Sequence, residues 1–347
     1  MKKRRPVDPP KAIVENGQAH FGTFNSQFEV LNLLDCEQPC GIFLPHFMNR
    51  TRLTEWEAFE INMDEGALIS AVYNTGAIGF SIFVFFDKKQ GKALSWKNIV
   101  PGFKAHVAPQ LVDGVSTLKT KNSDYVITND LKNGKAHAKG FSKNKKFGTF
   151  EIDMSVERLS PISNVSIPFG KNKPLYSEKD FFKATGYISI NGQKYESNGN
   201  TVSIIDDHKV YYPYHAHYDW LTTMGKMNID GEEKYFAFNL TRNQSIDQDS
   251  YNENLIWLEG ESSPLPPVMF THDEQNPNIW YVKDEHGCVD IRFEIEDVFK
   301  MPIKALVVDV KYDLPFGKIY GFVKDINGKK YVVDGMTGIG EDKTTRM

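Results

Sequence analysis

Residues 186–196, Gly186-Tyr-Ile-Ser-Ile-Asn-Gly-Gln-Lys-Tyr-Glu196, decide the fold class. Side chains alternate up to Asn191-Gly192 and again after it, and that dipeptide supplies the two positive φ angles of a type I′ turn. The stretch is a hairpin. The same grammar recurs outward from it, with turns at Asp64-Glu65-Gly66, Asp113-Gly114, Asn133-Gly134 and Asn327-Gly328. Short strands about ten residues apart, joined by such turns, build sandwiches or barrels. Residues 80–86, Phe-Ser-Ile-Phe-Val-Phe-Phe, form a nearly continuous apolar run of strand length, so both faces should be covered. Helical patterns do not recur between strands, which disfavours a parallel α/β fold and leaves an all-β chain.

Individual elements follow from the same signals. Residues 41–47 and 303–312 read as strands, and 160–174, with Pro161, Pro168, Gly170 and Pro174, as a crossing or loop. A two-turn helix is expected over 177–184, with Ser177 as N-cap and Asp180 at the third helical position.

The 347 residues exceed what one core usually sustains, so two domains are expected. With 41 basic and 45 acidic residues and a formal charge of −4, no global field recruits nucleic acid or an anionic membrane. The basic start, Lys2 to Arg5, is followed by no apolar run, and no segment approaches the roughly 20 apolar residues of a membrane-spanning helix. A solvated terminus is the expectation for it. Cys36, Cys40 and Cys288 show neither a disulfide framework nor metal-type spacing, which suits a cytoplasmic, reducing setting.

Chemically capable side chains concentrate just after the hairpin: Asp206, Asp207, His208, Tyr212, Tyr214, His215, His217, Asp219 and Trp220. If 211–220 is extended, Tyr212, Tyr214, Tyr218 and Trp220 share one face and His215, His217 and Asp219 the other. Pro213 lacks a backbone donor, so the chain should change partner sheet there, and pockets favour such seams. Four readings fit the cluster. An acid among Asp206, Asp207 and His208 protonates an apolar substrate against an aromatic wall. His215, His217 and Asp219 form a metal-binding face. The rings line a pocket that holds an apolar molecule without converting it. Or the polar groups satisfy one another at a sheet crossing. Arg242, Glu253 and Asn254 are further candidates for the same cavity.

The hairpin, followed by Asp207-His-Lys-Val-Tyr-Tyr-Pro-Tyr214, Tyr218-Asp-Trp220, Phe238-Asn-Leu240, Glu253-Asn254, Gly317-Lys-Ile-Tyr-Gly321, Gly338 and Glu341, resembles the domain-of-unknown-function family 2804. More remotely, the Asp-His pair before an aromatic strand is similar to carotenoid hydratases of the hydroxyneurosporene synthase type. That resemblance implies two successive lipocalin-like barrels and sets Asp207 and His208 at the catalytic positions, although Lys209-Val210 departs from the expected continuation. The resulting expectation is a flexible tail over 1–20, one barrel over 21–212 and a second over 213–347. Binding of a small apolar or amphipathic molecule near the seam is the leading function, and hydratase-like acid–base chemistry or a ligand-free structural or partner-binding role the alternatives. No cofactor and no metal are expected.

Overall fold

The computed structural model describes residues 4–305 and 308–346. They form a nearly all-β protein: a nearly closed barrel and a half-barrel sheet, packed together. The hairpin is present as expected. Ile190 pairs with Gln193, with φ of 52° at Asn191 and 83° at Gly192. The apolar run lies within the Ile78–Asp87 strand and is buried on both faces.

Each sheet is an antiparallel meander whose last long strand returns beside its first. In the first sheet, Val202–Tyr211 pairs with Leu53–Asn62; in the second, Met336–Arg346 pairs with His215–Ile229. The chain leaves the first sheet at Tyr211 and enters the second at His215, on either side of Pro213. Both sheets also contain a 17-residue strand, Pro174–Ile190 and Val308–Lys324. Each contains a positive-φ glycine, Gly186 (φ 142°) or Gly321 (φ 115°), where a Cβ would sit 2.0 Å from a carbonyl of the neighbouring strand. The amide of each of these glycines donates to a side chain, Ser197 Oγ at 2.8 Å and Asp334 Oδ1 at 2.7 Å. The same glycine and hydrogen-bonding plan therefore recurs in both sheets.

Period-two alternation sorts the residues. Ile205 points into the core of the first barrel with Phe59, Phe83 and Phe150. Its neighbours Val202, Ile204 and Val210 face the other way, onto the second sheet. The second sheet has its own core around Phe236, Trp280 and Ile319. Between the two lies a third, shared layer that includes Trp56, Phe80, Trp220 and Phe316. Functional side chains collect in this layer.

Three local expectations are corrected. Residues 177–184 belong to the Pro174–Ile190 strand, because they pair with Val202–Tyr211 on one side and, on the other, with Asn164–Pro168 at their start and Gly148–Arg158 at their end. Ladder hydrogen bonds on both edges outweigh a local capping signal. The 160–174 loop contains the Asn164–Pro168 strand, and 41–47 is not a strand but leads into a short helix, His46–Arg50. Of the strand expected over 303–312, Leu306 and Val307 lie outside the described residues, as do Lys2 and Lys3 of the basic start. Within the stretch expected to be a tail, Ile13 and Val14 are buried and Arg4 donates to the carbonyls of Asn252, Asn254 and Leu265. No helix among the described residues is long and apolar enough to cross a membrane.

Candidate functional site

The site is built from cross-strand neighbours. Alternation on Val202–Tyr211 directs Asp206 and His208 to the shared layer, and their register partners on Pro174–Ile190 are Lys179 and Ser177. From the second sheet, Trp220, Asn239, Glu341 and Lys343 face them, with Glu253 from the loop before the Leu255–Leu258 strand. Asp206, His208, Lys179, Ser177 and Glu253 are all buried.

Hydrogen bonds link them into one network. His208 Nε2 lies 2.6 Å from Ser177 Oγ, which donates to Glu253 Oε2 at 2.8 Å. The same imidazole nitrogen is 3.3 Å from Glu253 Oε2 and 3.4 Å from Asp206 Oδ1. Lys179 Nζ reaches Asp206 Oδ2 at 3.2 Å and donates to Asn239 Oδ1 at 3.2 Å, under the Trp220 ring. Trp220 Nε1 donates to the same Asn239 oxygen at 2.6 Å.

Burial sets the electrostatics. It lowers the Lys179 ammonium, but Asp206, Glu253 and Glu60 outweigh it and hold that group firmly protonated. It raises the Glu253 carboxyl, but Lys179 and the bonds from His208 and Ser177 keep that group well below the usual carboxylate range. Glu60 on the adjacent strand has no such donor; burial and the nearby Asp206 push its pKa far up. Neither Glu60 oxygen, nor Asp206 Oδ1, nor His208 Nδ1 finds a hydrogen-bond partner among the described residues. Buried polar atoms are nearly always satisfied in a purely structural layer.

Beside this network lies a cavity of about 80 Å³. One water needs about 10–15 Å³, so there is room for several heavy atoms. Trp56, Tyr73, Phe80, Ile69 and Ile82 form apolar wall, and Asp206, Glu341 and Lys343 bring charge to it. A smaller adjoining space reaches His208, Lys179 and Glu253. Asp206 lines both.

At the charged part of the same lining stands a cationic centre among rings. Lys343 Nζ stands 5.1–5.5 Å from the centroids of Trp56, Tyr73, Tyr212 and Tyr218 and donates to Tyr73 Oη at 2.7 Å. Burial pushes its pKa down to about 8, against the pull of Glu341. Glu341 accepts from Tyr218 at 2.9 Å and from Tyr312, yet burial keeps its pKa raised.

Sequence reasoning placed several of these groups and scattered others. Asp206, His208, Tyr212, Trp220 and Glu253 meet in the shared layer. Asp207 leaves its strand on the other face, toward Lys209, Glu57 and Glu178, where burial pushes its carboxyl well up. Asp207 and His208 are therefore not brought together. Tyr214 is exposed and meets His215 edge-on at 4.7 Å. His217 and Asp219 lie together, 3.4 Å apart, on the face away from the cavity. Arg242 is the register partner of Asp219. Asn254 accepts from the amide of Thr241 and donates to the Pro266 carbonyl, so it fixes the loop that carries Glu253. Ser177, Lys179, Glu60, Trp56, Tyr73 and Lys343 were not foreseen. No local signal marked the first two: Ser177 to Asp180 is flanked only by Leu175-Tyr176 and Phe181-Phe182, and the strand that positions them is Val202–Tyr211.

Among solved structures, the chain is similar to CghA with Sch210972: 8% identity, TM-score 0.55, covering 84% of this chain and 88% of that one. At that identity the likeness concerns the fold alone. Kievitone hydratase from Nectria haematococca shares 11% identity with a TM-score of 0.45, again over 84% and 88%. No curated protein matches the sequence significantly. Over residues 8–347 the chain matches the family described as Domain of unknown function (DUF2804), and it belongs to that family.

Proposed function

We propose that the seam cavity binds a small molecule with an apolar body and one polar group, and that Asp206 and His208 transfer a proton on it, in lyase- or isomerase-type chemistry. One observation carries this reading: Asp206 is buried, lines the cavity, and presents an oxygen with no hydrogen-bond partner 3.4 Å from His208 Nε2. A buried carboxyl oxygen without a donor costs stability, and such groups concentrate at functional sites. His208 exchanges a proton with the molecule at Nε2, Ser177 and the ionised Glu253 hold the imidazole in place, and Lys179 balances the negative charge throughout. Lys343 and the rings around it hold the polar end of the molecule by charge and the apolar body by contact.

The same walls serve a protein that only holds such a molecule, and the aromatic lining favours that second reading. Incubation with a panel of one- and two-ring ketones and alkenols, then native mass spectrometry in D2O, separates the two. Proton transfer predicts a retained ligand that gains deuterium with the unaltered protein and not with Asp206→Asn or His208→Gln. Retention without deuterium in all three leaves a binding protein. No retention of any panel member ends both.

A further inference from the structure

On the opposite face of the second sheet from the cavity, a separate cluster has ligand geometry. We propose that His217, Asp219 and Asp342 form a site for a first-row divalent cation, with Zn2+ the best-matched ion. Asp219 and Asp342 are direct cross-strand partners, and like charges so placed repel unless something bridges them. His217 sits over the pair: its Nε2 is 3.4 Å from Asp219 Oδ2 and 3.5 Å from Asp342 Oδ1. Two ligands on a tetrahedral ion with bonds of about 2.0–2.1 Å stand about 3.3–3.4 Å apart. The three donor atoms all lie within 4.8 Å of one another.

The outer oxygens provide an independent reason. Asp219 Oδ1 is held by His272 Nε2 at 3.0 Å, and that imidazole is stacked at 4.5 Å on the buried Trp280. Asp342 Oδ2 is held by Lys311 Nζ at 3.0 Å. Each carboxylate thus has one oxygen fixed from outside and the other turned toward His217, which is how metal-ligating carboxylates are oriented by the groups behind them. A divalent ion among the three donor atoms would answer both inner oxygens at once. His217 is half exposed, so solvent reaches a fourth position and an ion has a way in. One imidazole with two carboxylates suits borderline ions rather than thiolate-seeking ones. The cluster shares no residue with the cavity, so it stands whether or not the proposed proton transfer does.

The test uses untagged full-length protein, with Zn2+ followed by isothermal titration calorimetry and Co2+ by visible absorption. One equivalent of Zn2+ is expected, with the tetrahedral Co2+ bands displaced by added Zn2+. His217→Ala and Asp342→Asn should each weaken Zn2+ binding at least tenfold, whereas His215→Ala, two residues away and facing Tyr214, should leave it unchanged. Apo melting curves identify any variant that fails to fold. His217 is exposed enough that His217→Ala should melt like the parent, and His217→Gln serves as the second variant if it does not. Absence of binding at millimolar Zn2+ overturns the proposal, as does a loss smaller than tenfold in His217→Ala and Asp342→Asn.

Discussion

Lys179 and Asp206 are register partners on adjacent central strands, and their Nζ and Oδ2 atoms meet at 3.2 Å inside the shared layer. The lysine is the fixed cation among Asp206, Glu253 and Glu60. Replacing it by methionine leaves buried carboxyls without their counter-charge, which typically costs about 3–5 kcal/mol. Urea denaturation of Lys179→Met should show a loss of that size, and Lys179→Met combined with Asp206→Asn should recover part of it.

The opposite orientations of Asp206 and Asp207 give a sharp contrast. Asp207→Asn exchanges a carboxyl already driven toward its neutral form by burial, with no hydrogen bond on either oxygen from the described residues. It should leave ligand retention and deuterium uptake unchanged and alter stability by less than about 1 kcal/mol near pH 6. Asp206→Asn should abolish deuterium uptake while retention survives. If Asp207→Asn is the variant that abolishes uptake, the assignment of the acid to Asp206 fails.

Much of this arrangement was legible in the chain, and what was not has a physical cause. Asn191-Gly192 needed no tertiary information, because its backbone angles are local; the alternation expected over 211–220 applies from His215 to Trp220, which lie on one strand, whereas Tyr212 and the exposed Tyr214 fall in the break between Tyr211 and His215. Ser177 and Asp180 failed because a capping sequence carries the same local signal whether or not strands flank it. In the fold, Ser177 bonds His208 and Glu253, and Asp180 binds Arg158 at 2.6 Å on the other face. Lys343 and Asp342 were invisible for a different reason. Their roles depend on a return strand that pairs more than 100 residues away from its partner in sequence, and a single chain does not state that register.

Glu57, buried in the first barrel, accepts from Asn129 at 2.8 Å and from Ser116, yet burial pushes its pKa up to about 7. Its folded pKa exceeds the unfolded value of about 4.3. Its stabilising contribution is therefore complete below that unfolded value and is lost as pH rises through about 7. Glu57→Gln should flatten the decline in stability between pH 5 and pH 8, gaining on the order of 2 kcal/mol relative to the parent at the upper end. Chemical denaturation at the two pH values measures this. A gain of equal size at both would mean that the carboxyl does not titrate differently on folding.

Among the described residues, Lys343 is held by rings and one tyrosine hydroxyl rather than by a direct salt bridge. Lys343→Met keeps the length and removes the charge. Retention of a small anionic aromatic probe such as benzoate, followed by isothermal titration calorimetry, should weaken at least tenfold, while benzyl alcohol should bind within threefold of the parent. Stability should hold or improve, since a desolvated cation is exchanged for an apolar side chain.

Gly186 should tolerate no side chain. A Cβ there lies 2.0 Å from the Asp153 carbonyl, so two strands must part to admit it. Gly186→Ala should cost about 1–3 kcal/mol by thermal or urea unfolding, and Gly321→Ala a similar amount, its Cβ meeting the Asp290 carbonyl at 2.0 Å.

That matched glycine plan has an architectural meaning. Two long strands, each with one such glycine tied by its amide to a nearby side chain, give the two sheets a common local design. The chamber belongs to neither: each sheet furnishes one wall of it, and a half expressed alone would possess a wall and no room.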